Sequence, residues 1–300
     1  MKTYRLSINT KQHSYPVIIG KNILPNVDNI FKENKIFFQK CLIIYDNKVP
    51  IKNLVILKKK LKNKNIYIYK INSSERIKNI NTVNKIINLT LKKKFHRTDL
   101  IISLGGGIVG DIAGFVSSIY KRGINFINLP STLLSQVDSS IGGKTGVNSF
   151  HGKNLIGSFY QPKMVISDIN LLKSLPRREI ICGYAEILKH SFIKNKKFFL
   201  FLNKNLKKII LLNDLIILKS IYESCKIKKN IIEKDPLEKK LRKILNYGHT
   251  FGHAFEASMK YSKKLNHGEA VLLGMFCANN FAHEKNIIKK KDFQIINNYF

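Results

Sequence analysis

Three histidines in the second half of the chain have the spacing and the neighbours of a metal site. His249 and His253 stand four residues apart in the segment YGHTFGH, so on a helix their side chains share a face. His267 follows in the segment HGE, and Glu186 lies in a helical run upstream. Two histidines and one glutamate leave one coordination position open, which is typical of a catalytic zinc site. The spacing alone does not show which two histidines bind.

The His-x-x-x-His pair also resembles the zinc-binding helix of metalloproteases, in which a catalytic glutamate directly follows the first histidine. That position is Thr250 here, so the pattern does not predict a protease. A single histidine on a helix is more often a surface or core residue than a ligand. Three histidines among glycine breaks, with charged residues nearby, favour the metal site over that structural alternative.

A glycine-rich turn in the first half has the form of a nucleotide-phosphate site. The segment LIISLGGGIVGD, residues 100–111, places Gly105, Gly107 and Gly110 between a β-rich run and a helical pattern that starts at Ile108. Glycine lets the backbone approach a pyrophosphate, and the N–H groups of a helix N-terminus face its charge. The alternative is a turn of this kind that serves packing alone.

The ribose-binding carboxylate of such a site is not where a standard dinucleotide fold has it. The next predicted strand ends in Pro130-Ser131 without an acidic residue. We therefore expect the carboxylate to come from earlier in the chain, where Asp46 and Glu75 lie at the ends of predicted strands.

A third cluster joins the two halves of the chain. The segment QVDSSIGGKT, residues 136–145, and the following Gly152-Lys153-Asn154 provide a carboxylate, two lysines, an amide and several small hydroxyl residues. We interpret the cluster as a glycine-rich loop suited to a phosphorylated polyol. A merely solvated loop is the alternative, but solvated loops rarely concentrate these residue types so tightly.

The elements that must position these residues alternate between strand and helix in the first half. Strands are predicted at Tyr4–Ile8, Tyr15–Ile19, Leu42–Tyr45, Ile66–Tyr69, Leu100–Leu104, Phe126–Leu129 and Met164–Ser167, and helices at Ile51–Leu61 and Ile80–Leu91. This alternation predicts an α/β domain with a mostly parallel, Rossmann-like sheet.

From Leu171 the pattern is helical almost to the end, with breaks near Asn195, Asp235-Pro236 and Asn266-His267-Gly268. The sequence thus predicts a nucleotide-binding α/β domain at residues 1–168 and an all-α metal-binding domain at residues 169–300. A ligand cleft between the two is the default expectation for such an architecture.

The composition is strongly basic, with 53 Lys and Arg against 19 Asp and Glu and a net charge of +34. Such a charge is typical of nucleic-acid-binding proteins. However, the lysines are spread along the whole chain and accompany an excess of Ile, Asn, Phe and Tyr, residue types that share A/T-rich codons. Genome base composition explains both features together, so we expect no nucleic-acid partner.

Several classes of protein are excluded by what the chain contains. The four cysteines are far apart and form no Cys-x-x-Cys pair, which argues against a disulfide framework or a cysteine zinc site. The first residues have no apolar segment like that of a secretory signal, and no run approaches the roughly 18 apolar residues of a membrane span. These features predict a soluble, cytoplasmic protein without a membrane partner.

The motifs together resemble the 3-dehydroquinate synthase family, part of the sugar-phosphate cyclase superfamily. The similar segments occur in the family's order between about residue 1 and about residue 285. They are SLGGGIVGD, LPSTLLSQVDSSIGGKTGVN, GKNLIGSFYQP, GYAEILKH, LNYGHTFGHAFEA and HGEAV. The resemblance implies a lyase that needs NAD and zinc, with Co²⁺ as a substitute metal, and that forms a homodimer.

The resemblance also implies roles for individual residues. Glu186, His249 and His267 would bind zinc, which leaves His253 to face the substrate. The NAD-binding residues would be Asp46, Glu75, Lys78, Gly106, Gly107, Ile108, Val109, Gly110, Asp111, Ser131, Thr132, Lys144, Lys153, Leu171, Leu172, Lys173 and Ser174. The catalytic and substrate-binding residues would be Arg122, Asp138, Lys144, Asn154, Lys189, Glu238, Arg242, Asn246 and His253.

The reaction implied by the resemblance is the second step of the shikimate pathway, which leads through chorismate to the aromatic amino acids. It converts 3-deoxy-D-arabino-heptulosonate 7-phosphate, a phosphorylated sugar acid, into 3-dehydroquinate and phosphate. NAD transiently oxidises the C5 hydroxyl, phosphate is eliminated, the ketone is reduced again, and an intramolecular aldol reaction closes the ring. NAD ends the cycle unchanged.

The sequence departs from the family at a few points. Ser131 replaces a common threonine, and SSERIK at residues 73–78 keeps the glutamate and the lysine of its motif but not the glycine. The family continues past the position of Phe300 with a helical cap and a lysine of the active site.

The alternatives to this function are a related sugar-phosphate cyclase, a glycerol dehydrogenase-like enzyme, and a catalytically impaired or inactive remnant of this enzyme.

Overall fold

A computed structural model describes residues 3–10, 13–259 and 264–299. The chain divides into two compact units, Met1–Leu175 and Pro176–Phe300, which we call the N-terminal and the C-terminal unit. The short 3₁₀ helix Ile169–Ser174 therefore belongs to the N-terminal unit, whereas the sequence pattern puts the domain boundary just before it.

The N-terminal unit contains a seven-stranded sheet with the strand order β1-β2-β9-β6-β5-β3-β4. Only β1 and β2 pair in antiparallel fashion; the other pairs are parallel. The seven strands are β1 Tyr4–Asn9, β2 Ser14–Gly20, β3 Lys40–Asp46, β4 Asn65–Ile71, β5 Leu100–Gly105, β6 Asn125–Pro130 and β9 Met164–Asp168. All seven predicted strands are present.

Helices cover both faces of this sheet, which explains why its central strands are apolar throughout. Alternate residues of β3 belong to two separate cores: Ile43 packs in one, and Leu42 and Ile44 pack in the other. The first core also takes side chains from α1 (Val27–Glu33) and α2 (Ile51–Lys60), and the second from α3 (Ile80–Lys92) and α4 (Gly107–Ile119). The predicted mostly parallel α/β class is confirmed.

The third cluster of the sequence is not a simple loop. Ser135–Ser139 forms a turn of π-helix that carries Asp138, and the segment after it forms an antiparallel hairpin of β7 (Lys144–Ser149) and β8 (Gly152–Phe159). The prediction of a glycine-rich loop was wrong here because small residues allow close strand pairing. A Cβ atom on Gly146 would lie 2.6 Å from the Ile156 carbonyl oxygen of the paired strand.

The C-terminal unit is helical, as the sequence predicts. Its helices are α5 Arg177–Lys194, α6 Lys196–Ile210, α7 Asp214–Ile232, α8 His249–Ser258, α9 His267–Glu284 and α10 Lys290–Asn297, with a 3₁₀ helix at Leu241–Asn246. Asn195 and Asn266 cap the N-termini of α6 and α9 with their side chains, so both lie at breaks that the sequence indicates.

Two further expectations can be compared with the structure. All four cysteines are free, so no disulfide joins them. Within the described ranges, none of the helices is both long enough and apolar enough to cross a lipid bilayer.

Glycines bring α9 into close contact with two other helices. A Cβ atom on Gly268 would overlap the backbone of Cys182 in α5, and one on Gly274 would overlap the carbonyl oxygen of Gly248, which precedes α8. Gly248 itself has a φ of +81°, a left-handed conformation that glycine adopts without strain. The backbones of α5, α8 and α9 thus approach more closely than larger residues would allow.

We expect Gly268→Ala to lower the free energy of unfolding by about 1–3 kcal/mol, because the added methyl group has no space against α5. Equilibrium urea denaturation measures the change. Leu273→Ala, on the exposed side of the same helix, serves as the control and should change stability by about 0.5 kcal/mol or less. Equal effects of the two substitutions would contradict the close packing.

Candidate active site

Glu186 is a carboxylate with no exposed surface in the middle of α5. Its Oε2 atom forms an ion pair with the ammonium group of Lys189, one helical turn further on and equally buried. Its Oε1 atom has no hydrogen-bond partner among the described residues. A buried charge with a free acceptor atom is costly unless another group neutralises it, so this atom is suited to a cation.

His249 and His267 approach that free oxygen from two other helices. The Nε2 atoms of His249 and His267 lie 3.9 and 3.8 Å from Glu186 Oε1. One ligand atom from each of the three residues lies within 4.8 Å of the others. Zinc binds nitrogen and carboxylate oxygen at about 2.0–2.2 Å, so ligands of one ion lie roughly 3–4 Å apart. The three residues therefore fit a single zinc ion.

The second ring nitrogen of His267 faces another carboxylate. Glu256 Oε2, on α8, lies 3.6 Å from His267 Nδ1. Burial alone would lower the pKa of His267, but its hydrogen bond to the Glu256 carboxylate and the charges of Glu186 and Glu256 raise that pKa overall. A carboxylate at Nδ1 fixes the ring and leaves Nε2 to the metal. The sequence analysis missed Glu256, although its position one turn beyond His253 on the same helix was a usable signal.

The start of α9 holds His267 in place through a capping box. Asn266 accepts a hydrogen bond from the Glu269 backbone, and the Glu269 side chain accepts one from the Asn266 backbone. Arg178 donates two hydrogen bonds to Glu269, at 2.7 and 2.5 Å, and lowers its pKa. The first residue of this fixed helix end is His267.

His253 lies beside the three proposed ligands but is not one of them. Its ring centre is 5.3 Å from that of His249 and 6.4 Å from that of His267, and its side chain is exposed. Lys189 is the other proposed substrate residue next to this group, through its contact with Glu186.

Three more proposed substrate residues lie on the segment before α8. The carboxylate of Asp235 accepts hydrogen bonds from the backbone of Lys239, Lys240 and Arg242, at 2.9, 2.7 and 3.0 Å. These bonds lower the pKa of Asp235 and hold the turn that carries the proposed residues. The Glu238 side chain in that turn accepts a hydrogen bond from Asn246.

In the N-terminal unit, the glycine turn lies where the carboxyl ends of β3, β5 and β6 meet. The backbone N–H of Ser131 donates to the Gly105 carbonyl at 2.8 Å. A Cβ atom on Gly105 would lie 3.0 Å from that of Asp46, and one on Gly106 would lie 3.1 Å from the Thr132 methyl group. The structure thus brings together three of the segments proposed for NAD: Asp46, the glycine turn, and Ser131-Thr132.

The N-terminus of α4 is open for an anion. Gly106 occupies its cap position, no side chain among the described residues caps it, and no acidic residue lies in its first turn. The free N–H groups there favour a negatively charged ligand. This end of the helix fits the pyrophosphate of a dinucleotide, although Gly105 also serves packing, since its Cβ would lie 2.7 Å from that of Val109.

Lys78 connects residues proposed for NAD and for substrate. Its ammonium group donates to the Asp111 carboxylate and to the Asn154 side chain, both at 2.5 Å. Burial raises the pKa of Asp111, and the charge of Lys78 lowers it in opposition. Glu75, a second proposed NAD residue, accepts a hydrogen bond at 2.7 Å from Asn148. The sequence analysis did not single out Asn148.

The remaining residues proposed for NAD lie on two separate segments of the N-terminal unit. Lys144 and Lys153 lie on the β7–β8 hairpin, which packs on α4 through Thr145 at Gly114. Leu171 and Leu172 are buried in the 3₁₀ helix, so Lys173 and Ser174 offer the accessible side chains of that segment.

Three of the proposed substrate residues have backbone conformations that are rare outside glycine. Arg122, Asn154 and Glu238 have φ angles of +62°, +58° and +57°. Each such residue costs roughly 1–3 kcal/mol, and residues of this kind concentrate at active sites. Six other described non-glycine residues also have a positive φ, so these angles alone do not mark a site.

The chain matches two family models and resembles known proteins over its whole length. Residues 68–182 match the model for the 3-dehydroquinate synthase N-terminal domain, and residues 183–300 match that for the C-terminal domain. The 3-dehydroquinate synthase of Pelagibacter ubique (strain HTCC1062) is 55% identical over the whole chain, which spans 81% of that protein. That of Alkaliphilus metalliredigens (strain QYMF) is 42% identical over 97% of the chain and 81% of its own length.

Among solved structures, a complex of 2-deoxy-scyllo-inosose synthase with carbaglucose-6-phosphate, NAD⁺ and Co²⁺ superposes with a TM-score of 0.91. It is 27% identical, and the match covers 99% of this chain and 80% of the other. The fold is thus shared across sugar-phosphate cyclases, whereas the higher sequence identities lie with the dehydroquinate synthases. The chain belongs to the 3-dehydroquinate synthase family.

Proposed function

We propose that the chain converts 3-deoxy-D-arabino-heptulosonate 7-phosphate into 3-dehydroquinate and phosphate, as a lyase of the shikimate pathway. The observation that carries this proposal is the convergence of Glu186, His249 and His267 on one point of the C-terminal unit, in a chain that also has an open helix end after β5. A metal site and a dinucleotide site are the two things that this reaction requires.

The metal is zinc, held by Glu186, His249 and His267, and Co²⁺ is a chemically suitable substitute. When bound, zinc polarises the hydroxyl group that is oxidised. The protein's own contribution is to hold and orient the ligands. Lys189 stabilises the Glu186 carboxylate, and Glu256 orients His267.

The dinucleotide is NAD, with its pyrophosphate at the N-terminus of α4 and its ribose hydroxyls within reach of the carboxylates of Asp46 and Glu75. When bound, it accepts a hydride and returns it within one catalytic cycle. Gly106 and Gly107 allow the backbone to approach the phosphates. A Cβ atom on Gly106 would lie 3.1 Å from the Thr132 methyl group, and one on Gly107 would lie 3.0 Å from the Ser139 hydroxyl, so larger residues would fit poorly there.

The substrate is a dianionic phosphate that also carries a carboxylate, so its recognition depends on cations. Arg122, Lys144, Lys189 and Arg242 supply them in our proposal, and Asp138, Asn154, Glu238, Asn246 and His253 supply hydrogen bonds. His253 is the residue that we expect to exchange a proton with the substrate, because imidazole titrates near neutral pH.

A related cyclase activity is the second candidate, because the structural similarity to 2-deoxy-scyllo-inosose synthase is high. Phosphate release from the heptulosonate phosphate and from glucose 6-phosphate separates the two. We expect turnover of the heptulosonate only. Turnover of glucose 6-phosphate alone would instead assign the chain to the second activity.

The oligomeric state and the cellular location of the protein are also proposals. We propose a homodimer in the cytoplasm that works without nucleic acid or membrane. The β7–β8 hairpin exposes Phe150, Leu155 and Phe159, whose side chains are 101%, 63% and 45% accessible. Apolar side chains that lie together on a surface mark an interaction site, and a second copy of the chain is the partner that the proposal assigns to them.

For the metal site, we expect Glu186→Gln to weaken zinc binding more than about 100-fold, since even hydrogen-bond partners of ligands contribute 10–100-fold. His253→Ala should keep zinc but lose roughly 100-fold in turnover, the usual contribution of a proton-transferring group. Zinc content after dialysis and the rate of phosphate release measure the two effects. Loss of zinc from the His253 variant would show that the ligand set is wrong.

For the nucleotide site, we expect Gly106→Val to weaken NAD binding at least about tenfold, because its side chain would crowd Thr132 and block the helix end. Titration calorimetry with NAD measures the dissociation constant, and a thermal melt verifies folding. Ile119→Val, at the opposite end of α4, is the control. An unchanged constant for the glycine variant would place the pyrophosphate elsewhere.

For assembly, we expect sedimentation of the wild-type protein as a dimer at micromolar concentration. Replacing Phe150 and Leu155 together by serine should shift the equilibrium towards monomer, because the exposed apolar area of the hairpin is removed. The matched control replaces Leu211 and Leu215, which are 81% and 70% accessible in the C-terminal unit, in the same way. A wild-type monomer, or a dimer that only the control disrupts, would contradict the proposal.

A further inference from the structure

Asn148 lies on β7 at the only irregularity in the pairing of β7 with β8 among the described residues. The register shifts between Val147 and Ser149, so Asn148 has no partner in the hairpin ladder. It forms a parallel bridge with Asn79 instead. Bulges of this kind redirect a residue away from its sheet, and here the bulge turns Asn148 towards the segment at residues 75–79.

Four hydrogen bonds then fix Asn148 between separate parts of the unit. Its backbone N–H donates to the Lys78 carbonyl at 2.7 Å. Its side-chain Nδ2 donates to the Glu75 carboxylate at 2.7 Å and to the Glu75 carbonyl at 3.4 Å, and its Oδ1 accepts from the Asn154 backbone N–H at 3.0 Å. The two ends of one carboxamide therefore hold two different residues.

Those two residues belong to different parts of the proposed site. Glu75 is a proposed NAD residue, and Asn154 is a proposed substrate residue. Asn154 has a positive φ of +58°, in the left-handed region that asparagine enters more readily than most residues. The Lys78 ammonium closes the connection from the other side, because it contacts both the Asn154 side chain and Asp111.

We propose that Asn148 is a positioning residue that couples the nucleotide and substrate parts of the site. The inference rests on the proposed function, in which Glu75 contacts NAD and Asn154 contacts substrate. Asn148 aims the Glu75 carboxylate through its amide N–H and holds Asn154 in its left-handed conformation through its amide oxygen. It touches neither ligand itself.

The carboxamide group is what this role requires, because it donates at one end and accepts at the other. Aspartate has the same shape and keeps the acceptor for Asn154, but it cannot donate to Glu75 and brings a second negative charge beside it. Alanine loses both bonds. The two substitutions therefore separate the two halves of the proposed role.

The test measures NAD affinity by calorimetry without substrate, and KM and kcat by phosphate release at saturating NAD. For Asn148→Asp, we expect the NAD dissociation constant to rise about tenfold and the substrate KM to stay within about threefold, because only the bonds to Glu75 are lost. For Asn148→Ala, we expect both constants to rise, each about fivefold or more.

Asn125→Ala is the matched control. Asn125 starts β6, at the end of the strand opposite the glycine turn, and its amide donates a single hydrogen bond to the Thr98 carbonyl at 3.3 Å. We expect both constants to stay within about twofold for this variant. Its change in melting temperature should be similar to that of Asn148→Ala. A merely structural role for Asn148 would make it behave as the control does.

Two outcomes overturn the proposal: an Asn148→Ala variant with both constants unchanged, or an Asn148→Asp variant that raises the substrate KM as much as the NAD constant. If Asn148→Ala does not fold, the aspartate variant alone still decides, through the ratio of its two effects. Failure of the proposed function would look different, because the wild-type protein itself would then release no phosphate while the calorimetric comparison remained valid.

Discussion

The C-terminal unit is organised around one buried negative charge, that of Glu186. A carboxylate without exposed surface destabilises a protein unless cations or hydrogen-bond donors surround it. Lys189 forms an ion pair with one of its oxygens from the same helix, and the other oxygen lies near two histidines from α8 and α9. Those helices reach it only because Gly268 and Gly274 remove the side chains that would keep the backbones apart. The geometry of the metal site is thus a consequence of helix packing.

In the N-terminal unit, the residues of the proposed site are held in place by an ion pair and by neutral amides. Lys78, which is buried, is balanced by Asp111, and Asn148 and Asn154 complete the connection with uncharged amides. Because an amide carries no net charge, it can hold a carboxylate and a strained backbone without changing the electrostatics of the site.

Sequence patterns predicted the elements well where burial dictates composition. The short, β-branched apolar runs of β3 and β5 are typical of strands buried on both faces, and the spacing of α3 is typical of a helix with one buried side. The β7–β8 hairpin was missed because its glycines and polar residues give no alternating pattern. Spacing could not separate His253 from His249 and His267, since all three share one neighbourhood and only the position of Glu186 distinguishes them. Glu256 and Asn148 act through other residues, so their own chemistry gave no signal.

The strand order has a consequence for how the N-terminal unit is made. β9, the last strand of the unit to be synthesised, lies between β2, one of the first, and β6. At about 5–20 residues per second, the ribosome reaches β9 on the order of ten seconds after β2. Until then the β1–β2 hairpin, with Val17 and Ile19 among its apolar residues, has no sheet to join. An exposed strand edge of this kind is prone to aggregation, and the long-range pairing of β2 with β9 slows the folding of the unit.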